Sequence, residues 1–361
     1  MVLTDTSLLH KALKRLGSVR PERDAVEVAG GEQLTLRCAG LEVEAEVYLP
    51  VPAEGFPGAV VSRKHLLDLL EGAGGSVELG LDRGWFRVRS GRFDAQLVSY
   101  SPEVNPVGIR LLTEEAEPLF RVEAGASLEA LEEAAALARA SAGMPEVLLE
   151  VEEGGVRLVA TDGYRLYLFA LKAQVQRPGV EYLLRPGEAL AALRALDPGP
   201  SLTFSKPQAQ ALVVEGLWGK AAFALGARRF PPYRQVIPQG EPLARLKLDA
   251  TPLREAVKRA LVVAEGTHHG VELQGMGEEV RVSALDSELR PLSEELLPGE
   301  GEGALQVNGK YLLSALEVFG PGKAELRVYP HAQGKLLALG REGFHAYISL
   351  LQPAQNPAGA G

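Results

Sequence analysis

Val307-Asn308-Gly309-Lys310-Tyr311-Leu312-Leu313-Ser314-Ala315-Leu316 reads as the end of a strand running into a Leu-rich helix, and the chain contains it in three versions. Leu184-Arg185-Pro186-Gly187-Glu188-Ala189-Leu190-Ala191-Ala192-Leu193 lies 123 residues earlier, and Val61-Ser62-Arg63-Lys64-His65-Leu66-Leu67-Asp68-Leu69-Leu70 a further 123. Each leads into a turn and another strand pattern: EGAGGSVELG, RALDPGPSLTF and EVFGPGKAEL. A second helix recurs at a matching interval. Leu9-His10-Lys11-Ala12-Leu13, Leu131-Glu132-Glu133-Ala134-Ala135 and Leu253-Arg254-Glu255-Ala256-Val257 are spaced 122 residues apart. In each copy the apolar residues fall at i, i+3 and i+4, which is one stripe of a helix. Alternating runs such as Leu34-Thr35-Leu36-Arg37 and Val156-Arg157-Leu158-Val159 have the period of strands.

This period exceeds the roughly 20–50 residues of a solenoid repeat, and each unit is large enough to hold its own core. The expected fold class is therefore α+β: three tandem domains of one fold, each with two helices on one side of an antiparallel sheet. Boundaries are expected near Pro118 and near Gly240–Ala244, where Pro, Gly and Glu gather. The expected domains are residues 1–118, 119–243 and 244–361. Three similar domains with exposed sheet edges invite edge-to-edge pairing. A closed ring removes free edges without growing into a filament, at about 120° per domain for one chain or about 60° for two. The sequence does not choose between them.

The chain has 361 residues, with 46% hydrophobic and 24% charged, and a formal net charge of −9. Net acidity argues against nucleic acid, whose phosphates need Lys and Arg, but the placement of positive charge matters more than the total. Lys11, Lys14 and Arg15 share the helix face opposite Leu9, Leu13 and Leu16, and Arg254, Lys258 and Arg259 cluster on another helix. The mid-domain helices add Arg63, Lys64, Arg185, Arg194 and Lys310. Acidic runs fall in strands and loops, for example Glu42, Glu44 and Glu46, or Glu294, Glu295, Glu300 and Glu302. Helices from all three domains lining one surface make a positive track for a phosphate backbone. No helix has the spacing used for direct base readout, so the contacts are expected to be loose and blind to sequence.

Enzyme chemistry has no recognisable footing. His10, His65, His268, His269, His331 and His345 show no metal-ligand spacing, and adjacent His268 and His269 are expected to point apart on a strand. Gly299-Glu300-Gly301-Glu302-Gly303 is read as a loop, and Gly320-Pro321-Gly322-Lys323 as the turn after the last helix. No GxSxG occurs. Neither metal nor cofactor is expected. Cys38, the one cysteine, excludes an intrachain disulfide and is read as a small strand residue. Met1 to Arg20 reads as a charged amphipathic helix and not a secretory signal. No run approaches the ~18 apolar residues of a membrane span. The cytoplasm is the expected location, with no membrane partner.

Two segments carry a family resemblance. Val159-Ala160-Thr161-Asp162-Gly163-Tyr164-Arg165-Leu166 looks like the "ATDGHRL" strand-turn of the bacterial DNA polymerase III beta subunit, the sliding clamp. Arg229-Phe230-Pro231-Pro232-Tyr233-Arg234-Gln235-Val236-Ile237-Pro238 resembles that family's "FPDYRRVLP". Arg89-Ser90-Gly91-Arg92-Phe93 and Val307-Asn308-Gly309-Lys310-Tyr311-Leu312-Leu313 resemble its "RSGR" and "VNxxYLLD". The resemblance spans the chain in order and coincides with the repeat.

It implies three clamp domains per chain and a head-to-tail homodimer closing a ring around double-stranded DNA. DNA polymerase and clamp loader are implied to bind through short linear peptides. Carried over by position, the peptide pocket comprises Met144, Thr161, Gly163, Tyr164, Arg165, Leu166, Pro231, Val236, Ile348 and Leu350. The dimer contact is expected to join an edge strand near Ala95 and Leu97 to a helix end near Val262 and Val263. Departures are present: Tyr164 stands where His is usual, Gln235 where Arg is usual, and Pro232 replaces an acid. The middle domain's first helix sets Glu129, Glu132 and Glu133 against Arg139. Two readings stay open, a DNA-encircling clamp and a clamp-fold hub that binds peptides with weak or no encirclement.

Overall fold

Asn308, Ser62 and Asp249 have short polar side chains that accept hydrogen bonds from the first amides of the helices they precede. This is why strand turns into helix at those points. The computed structural model describes residues 1–351, except 22, 197–198, 265–268, 287 and 333. The C-terminal extension 353–361 lies outside the described residues.

The element order restarts twice. The first copy runs β1 (Val2–Asp5), α1 (Thr6–Leu16), β2 (Ala25–Ala29), β3 (Leu34–Ala39), β4 (Val43–Leu49), β5 (Ala59–Ser62), α2 (Arg63–Leu70), β6 (Ser76–Asp82), β7 (Trp85–Ser90) and β8 (Phe93–Val98). The second runs β9 (Ala116–Glu123), α3 (Ala124–Arg139), β10 (Val147–Glu152), β11 (Gly155–Thr161), β12 (Arg165–Leu171), β13 (Ala173–Val175), β14 (Val180–Leu184), α4 (Pro186–Ala195), β15 (Ser201–Pro207), β16 (Ala211–Gly216) and β17 (Gly219–Ala224). The third runs β18 (Ala244–Asp249), α5 (Ala250–Val263), β19 (Gly270–Leu285), β20 (Pro291–Asn308), α6 (Gly309–Phe319), β21 (Lys323–His331), β22 (Gly334–Arg341) and β23 (Phe344–Ser349). Each copy is strand, helix, sheet, helix, three strands. Between the two helices the first copy has four strands and the second five, and in the third two long strands replace them. The fold is α+β, three tandem clamp domains with two helices each.

By packing, the chain divides into two compact units: residues 1–132, 148–156 and 171–228, and residues 133–147, 157–170 and 229–361. In the first unit, β1-β6-β7-β8 form one sheet, and β13-β9-β15-β16-β17-β4-β3-β2-β5 another. The edge pairing expected from the sequence occurs inside that second sheet, where β17 joins β4 with Phe223 opposite Val43. Helix α1 packs on α2 and α4, and buries Leu9, Leu13 and Leu16 completely. In the second unit, β12 of the second copy pairs with β23 of the third, and the order continues through β22, β21, β18, β20 and β19. Helices α5 and α6 pack together there, with Leu253, Val257, Leu312 and Leu316 in the core.

Several local expectations change. The chain start is not one helix, because β1 precedes α1 and pairs with β6. Gly299–Gly303 is not a loop but part of β20, where it pairs with β18. A Cβ on Gly301 would collide with the carbonyl of Arg245, so glycine permits two backbones to approach closely. His269 sits in a turn at φ 43, not on a strand, and His268 lies outside the described residues. Pro118 falls inside β9, two residues past its start. Other readings hold: the chain turns after α6 over Gly320–Gly322 before β21 begins at Lys323, and Cys38 is a buried β3 residue. Burial pushes the Cys38 thiol up to about 12.

Candidate functional site

The Thr161–Arg165 turn between β11 and β12 is held by its own side chains. Asp162 Oδ1 accepts from the amides of Tyr164 (3.0 Å) and Arg165 (2.7 Å), and Oδ2 accepts from Arg165 Nε (2.9 Å) and Nη2 (2.7 Å). Thr161 Oγ1 accepts from the Gly163 amide at 3.1 Å and donates to the Arg165 carbonyl at 2.7 Å. Gly163 supplies φ 92, a left-handed conformation that side chains resist. Only 4% of the Asp162 side chain and 11% of that of Arg165 are exposed, so this is a buried bidentate pair. Arg165 also lies 4.5 Å from the ring centroid of Tyr311 on α6. Tyr164 stacks on Tyr311 at 6.0 Å and 29° yet remains 62% exposed. The turn therefore presents a fixed aromatic ring to solvent.

The register of β12 against β23 decides which predicted residues share a face. Arg165 is opposite Ile348, Leu166 opposite Tyr347 and Leu168 opposite His345. Side chains alternate along a strand. Leu166, Tyr347, Leu168 and His345 therefore share one face, and Arg165 and Ile348 the other. The Ser349 amide donates to the Tyr164 carbonyl at 2.9 Å, drawing the end of β23 onto the turn. Of the ten expected pocket residues, Leu166, Ile348 and Leu350 are buried. Met144, Thr161, Arg165 and Val236 are half-buried, and Gly163, Tyr164 and Pro231 exposed. The Pro231–Val236 segment reaches the sheet through buried Tyr233, whose hydroxyl meets Arg157 Nη1 at 3.4 Å. No described hydrogen bond ties Met144 to the turn; its amide donates to Ser141 Oγ at 2.9 Å.

On the Leu166 face the structure opens a cleft of about 410 Å³. Its apolar surface comes from Leu168, Ala170 and Ile237, and its polar surface from Arg157, Arg234, His345, Tyr233, Tyr347 and Gln239. None of these nine is among the ten expected pocket residues, although Tyr233, Arg234 and Ile237 fall in the Arg229–Pro238 segment that carries the resemblance. The usable signal was the alternation Leu166-Leu168-Ala170, which continues one face along β12. Burial, Arg327 and Arg157 hold the His345 imidazole below its ordinary value. Burial raises the Tyr347 hydroxyl above its own.

The eleven basic residues expected on helix faces differ in circumstance. Lys11, Lys14, Lys64 and Lys310 are exposed and make no ion pair among the described residues, and Arg15 is half-buried. Arg63 is inward: Nη1 donates to the Leu13 carbonyl at 3.2 Å and Nη2 lies 3.5 Å from Asp24. Arg185 pairs with Glu42, and Arg194 with Glu132 at 2.6 Å. Arg254 and Lys258 both reach Glu255 at 3.3 Å, and Arg259 grips Glu295 at 2.5 and 2.9 Å. Apart from Arg63, these pairs are largely exposed, so each is weak and open to competition by another anion.

The expected contact residues flank unpaired edges. Among the described residues β8 pairs with β7 alone, and Ala95 and Leu97 lie half-buried opposite Val88 and Phe86. At the end of α5, Val262 is 84% and Val263 42% exposed. β20 pairs with β19 along Pro291–Leu297, while β18 meets β20 only at Gly299–Glu302. One edge of Pro291–Leu297 is thus free among the described residues, beside exposed Leu292 and Leu296. Among the described residues no cluster of three or more His, Cys, Asp or Glu could hold a metal ion. No helix there is long and apolar enough to cross a membrane.

Threefold recurrence of one strand-and-helix unit, with sheets merging edge to edge, defines the clamp class of fold. Within that class the chain is similar, at low identity, to bacterial beta sliding clamps. It is 27% identical over 308 residues to the beta sliding clamp of Pseudomonas putida, covering 81% of each chain. It is 29% identical over 182 residues to that of Pseudomonas aeruginosa, covering 48% of each. No family model matches. The DNA polymerase III beta subunit of Pseudomonas aeruginosa superposes with a TM-score of 0.81 at 21% identity, over 98% of this chain and 100% of that one. The sliding clamp of Bacillus subtilis does so with 0.81 at 16% identity, over 97% and 98%. A Pseudomonas aeruginosa clamp of the same fold was solved bound to griselimycin.

Proposed function

We propose that this chain is a sliding clamp, an accessory subunit without catalysis of its own. It encircles duplex DNA without reading sequence and tethers a polymerase and a clamp loader through peptides. The observation that carries this reading is the threefold unit itself, matched along nearly the full length of beta clamp structures. Its domains are residues 1–118, 119–243 and 244–361. Two copies close head to tail: the free edge near Ala95 and Leu97 on β8 meets the free edge of β20, with Val262 and Val263 beneath as an apolar plug. Lys11, Lys14, Lys64 and Lys310 are the readiest phosphate contacts. Arg15, Arg185, Arg194, Arg254, Lys258 and Arg259 exchange carboxylates for phosphates as DNA enters, and Arg63 braces α1 against α2. Partner peptides dock with Leu or Phe anchors along Thr161–Leu166 and Pro231–Val236, bounded by Met144, Ile348 and Leu350.

A second reading, a peptide-binding hub that scarcely encircles DNA, is favoured by the acidic α3 and by the capture of Arg185 and Arg194 by Glu42 and Glu132. One experiment separates them: loader-dependent retention on circular DNA, and release of the protein once that DNA is linearised. Native mass of a dimer with retention supports the clamp. A monomer that binds peptides but is never retained supports the hub.

A further inference from the structure

Residues 99–115 carry the chain from β8 of the first repeat to β9 of the second, and they are fastened along the way. Tyr100 exchanges backbone hydrogen bonds with Val60 on β5 at 2.9 and 3.0 Å, and Arg23 Nη1 donates to Asn105 Oδ1 at 3.0 Å. The segment then reaches the seam where β4 of the first repeat pairs with β17 of the second. A single 3-10 turn, Leu111–Thr113, lands there.

A row of side chains on three strands receives the turn. Ala222 on β17 lies opposite Glu44 on β4 and opposite Val213 on β16, so the three share one face. Leu112 is buried with Val213 and Ala222, and Ile109, Leu111 and Ala116 pack around them. Glu44 Oε2 accepts from the amides of Arg110 (2.9 Å), Leu111 (2.8 Å) and Leu112 (3.2 Å), and Glu44 is only 4% exposed. A carboxylate enclosed to that degree is stable only where donors satisfy it. Lys220 on β17 donates to the Leu112 carbonyl at 3.3 Å, and Glu114 Oε2 accepts from the Ala209 amide at 3.1 Å. The turn is thus tied to the first repeat through Glu44, and to the second through Leu112, Lys220 and Ala209.

We propose that residues 106–115 are a latch across the β4–β17 seam, with Glu44 as its catch. Seated, the latch makes the first two repeats move as one body. Released, it loosens the seam and opens the Arg110–Leu111 bond to proteases. Arg110 is exposed, yet its carbonyl accepts from Thr113 Oγ1 at 2.7 Å and the Leu111 amide is held by Glu44, so cleavage there requires the segment to detach. The proposal lies within one compact unit and needs neither DNA nor a partner peptide.

The test uses the full chain, with limited trypsin digestion read by mass and hydrogen exchange read by residue. In the wild type the amides of Arg110, Leu111 and Leu112 should exchange at one common slow rate, because all three rest on one oxygen. Exchange there as fast as in an unstructured chain overturns the latch without any variant. Glu44→Ala should speed cleavage after Arg110 at least about tenfold, giving a fragment that begins at Leu111, with Glu44→Gln in between. Cleavage after Arg92, in the exposed β7–β8 turn, should stay as it was. The same variant should lose protection in β4 and β17 but not between β2 and β5. Leu112→Ala, which releases the turn from the other repeat, should reproduce both effects. Unchanged cleavage after Arg110 overturns the proposal. So does equal acceleration at Arg92, which would make Glu44 a support of the whole fold, and so does a freed segment over an unchanged seam.

Discussion

Asp162→Ala isolates the pin that holds the candidate peptide site. The substitution removes four hydrogen bonds, two from backbone amides and two from the Arg165 guanidinium. It also leaves a cation that is 11% exposed without its carboxylate. Breaking a buried pair from one side costs about 3–5 kcal/mol. Tyr164 is exposed, so the freed amides can rehydrate, and Arg165 keeps its contact with Tyr311; about 3 kcal/mol is therefore expected. The Ser349 amide reports the loosening, because it donates to the Tyr164 carbonyl on the same turn. At 1.4 kcal/mol per factor of ten, its hydrogen exchange should accelerate more than a hundredfold. Adding Arg165→Met should recover part of the stability, since the stranded charge goes too. Exchange at Ser349 within threefold of wild type would refute this account of the turn. So would a double variant worse than the sum of the singles.

Three further outcomes are expected. Val263→Asp should turn a dimer into monomers in native mass spectrometry at micromolar concentration, because it charges the exposed plug at the end of α5; an unchanged dimer counts against that interface. Neutralising Lys11, Lys14, Lys64 and Lys310 together should flatten the salt dependence of DNA binding, equally for every sequence, by up to about 0.9 in log–log slope for each phosphate that no longer meets a cation. A sequence-selective weakening would instead mean base readout. His345 titrates below its ordinary value, so the folded state favours the neutral ring. Above about pH 6.5 its contribution is whole, and as pH falls toward the folded value the unfolded chain takes the proton first and stability declines. His345→Asn should lessen that decline in unfolding midpoints between pH 7 and 5, and an unaltered slope would exclude it.

The repeat was legible because helix starts leave local marks. Arg63, Pro186 and Gly309 open α2, α4 and α6 at the same 123-residue spacing read from the sequence. Leu9 and Leu253 are buried as the fourth residues of α1 and α5, but Leu131 is the eighth of α3, which starts a turn earlier than the 122-residue spacing implies. The turn at Thr161–Arg165 was legible for the same reason, since Asp162 satisfies amides two and three residues ahead. The cleft was not, because Leu168 meets His345 only through the β12–β23 register, across 177 residues of chain. Nor were the ion pairs that occupy half the expected DNA track: Arg185 with Glu42 and Arg259 with Glu295 depend on tertiary placement. Gly299–Gly303 misled because glycine marks both turns and close backbone crossings, and only the partner strand distinguishes them.

Cys38 gives the protein a silent thiol. With its proton held up to about 12 and its side chain closed inside β3, almost none is thiolate at neutral pH. A cysteine introduced elsewhere, on β8 or α5 for instance, can therefore carry a dye or crosslinker in the wild-type background. In the unmodified chain, alkylation of Cys38 can proceed only as β3 opens, so the rate of mass gain with a thiol reagent becomes a clock for unfolding of the first repeat.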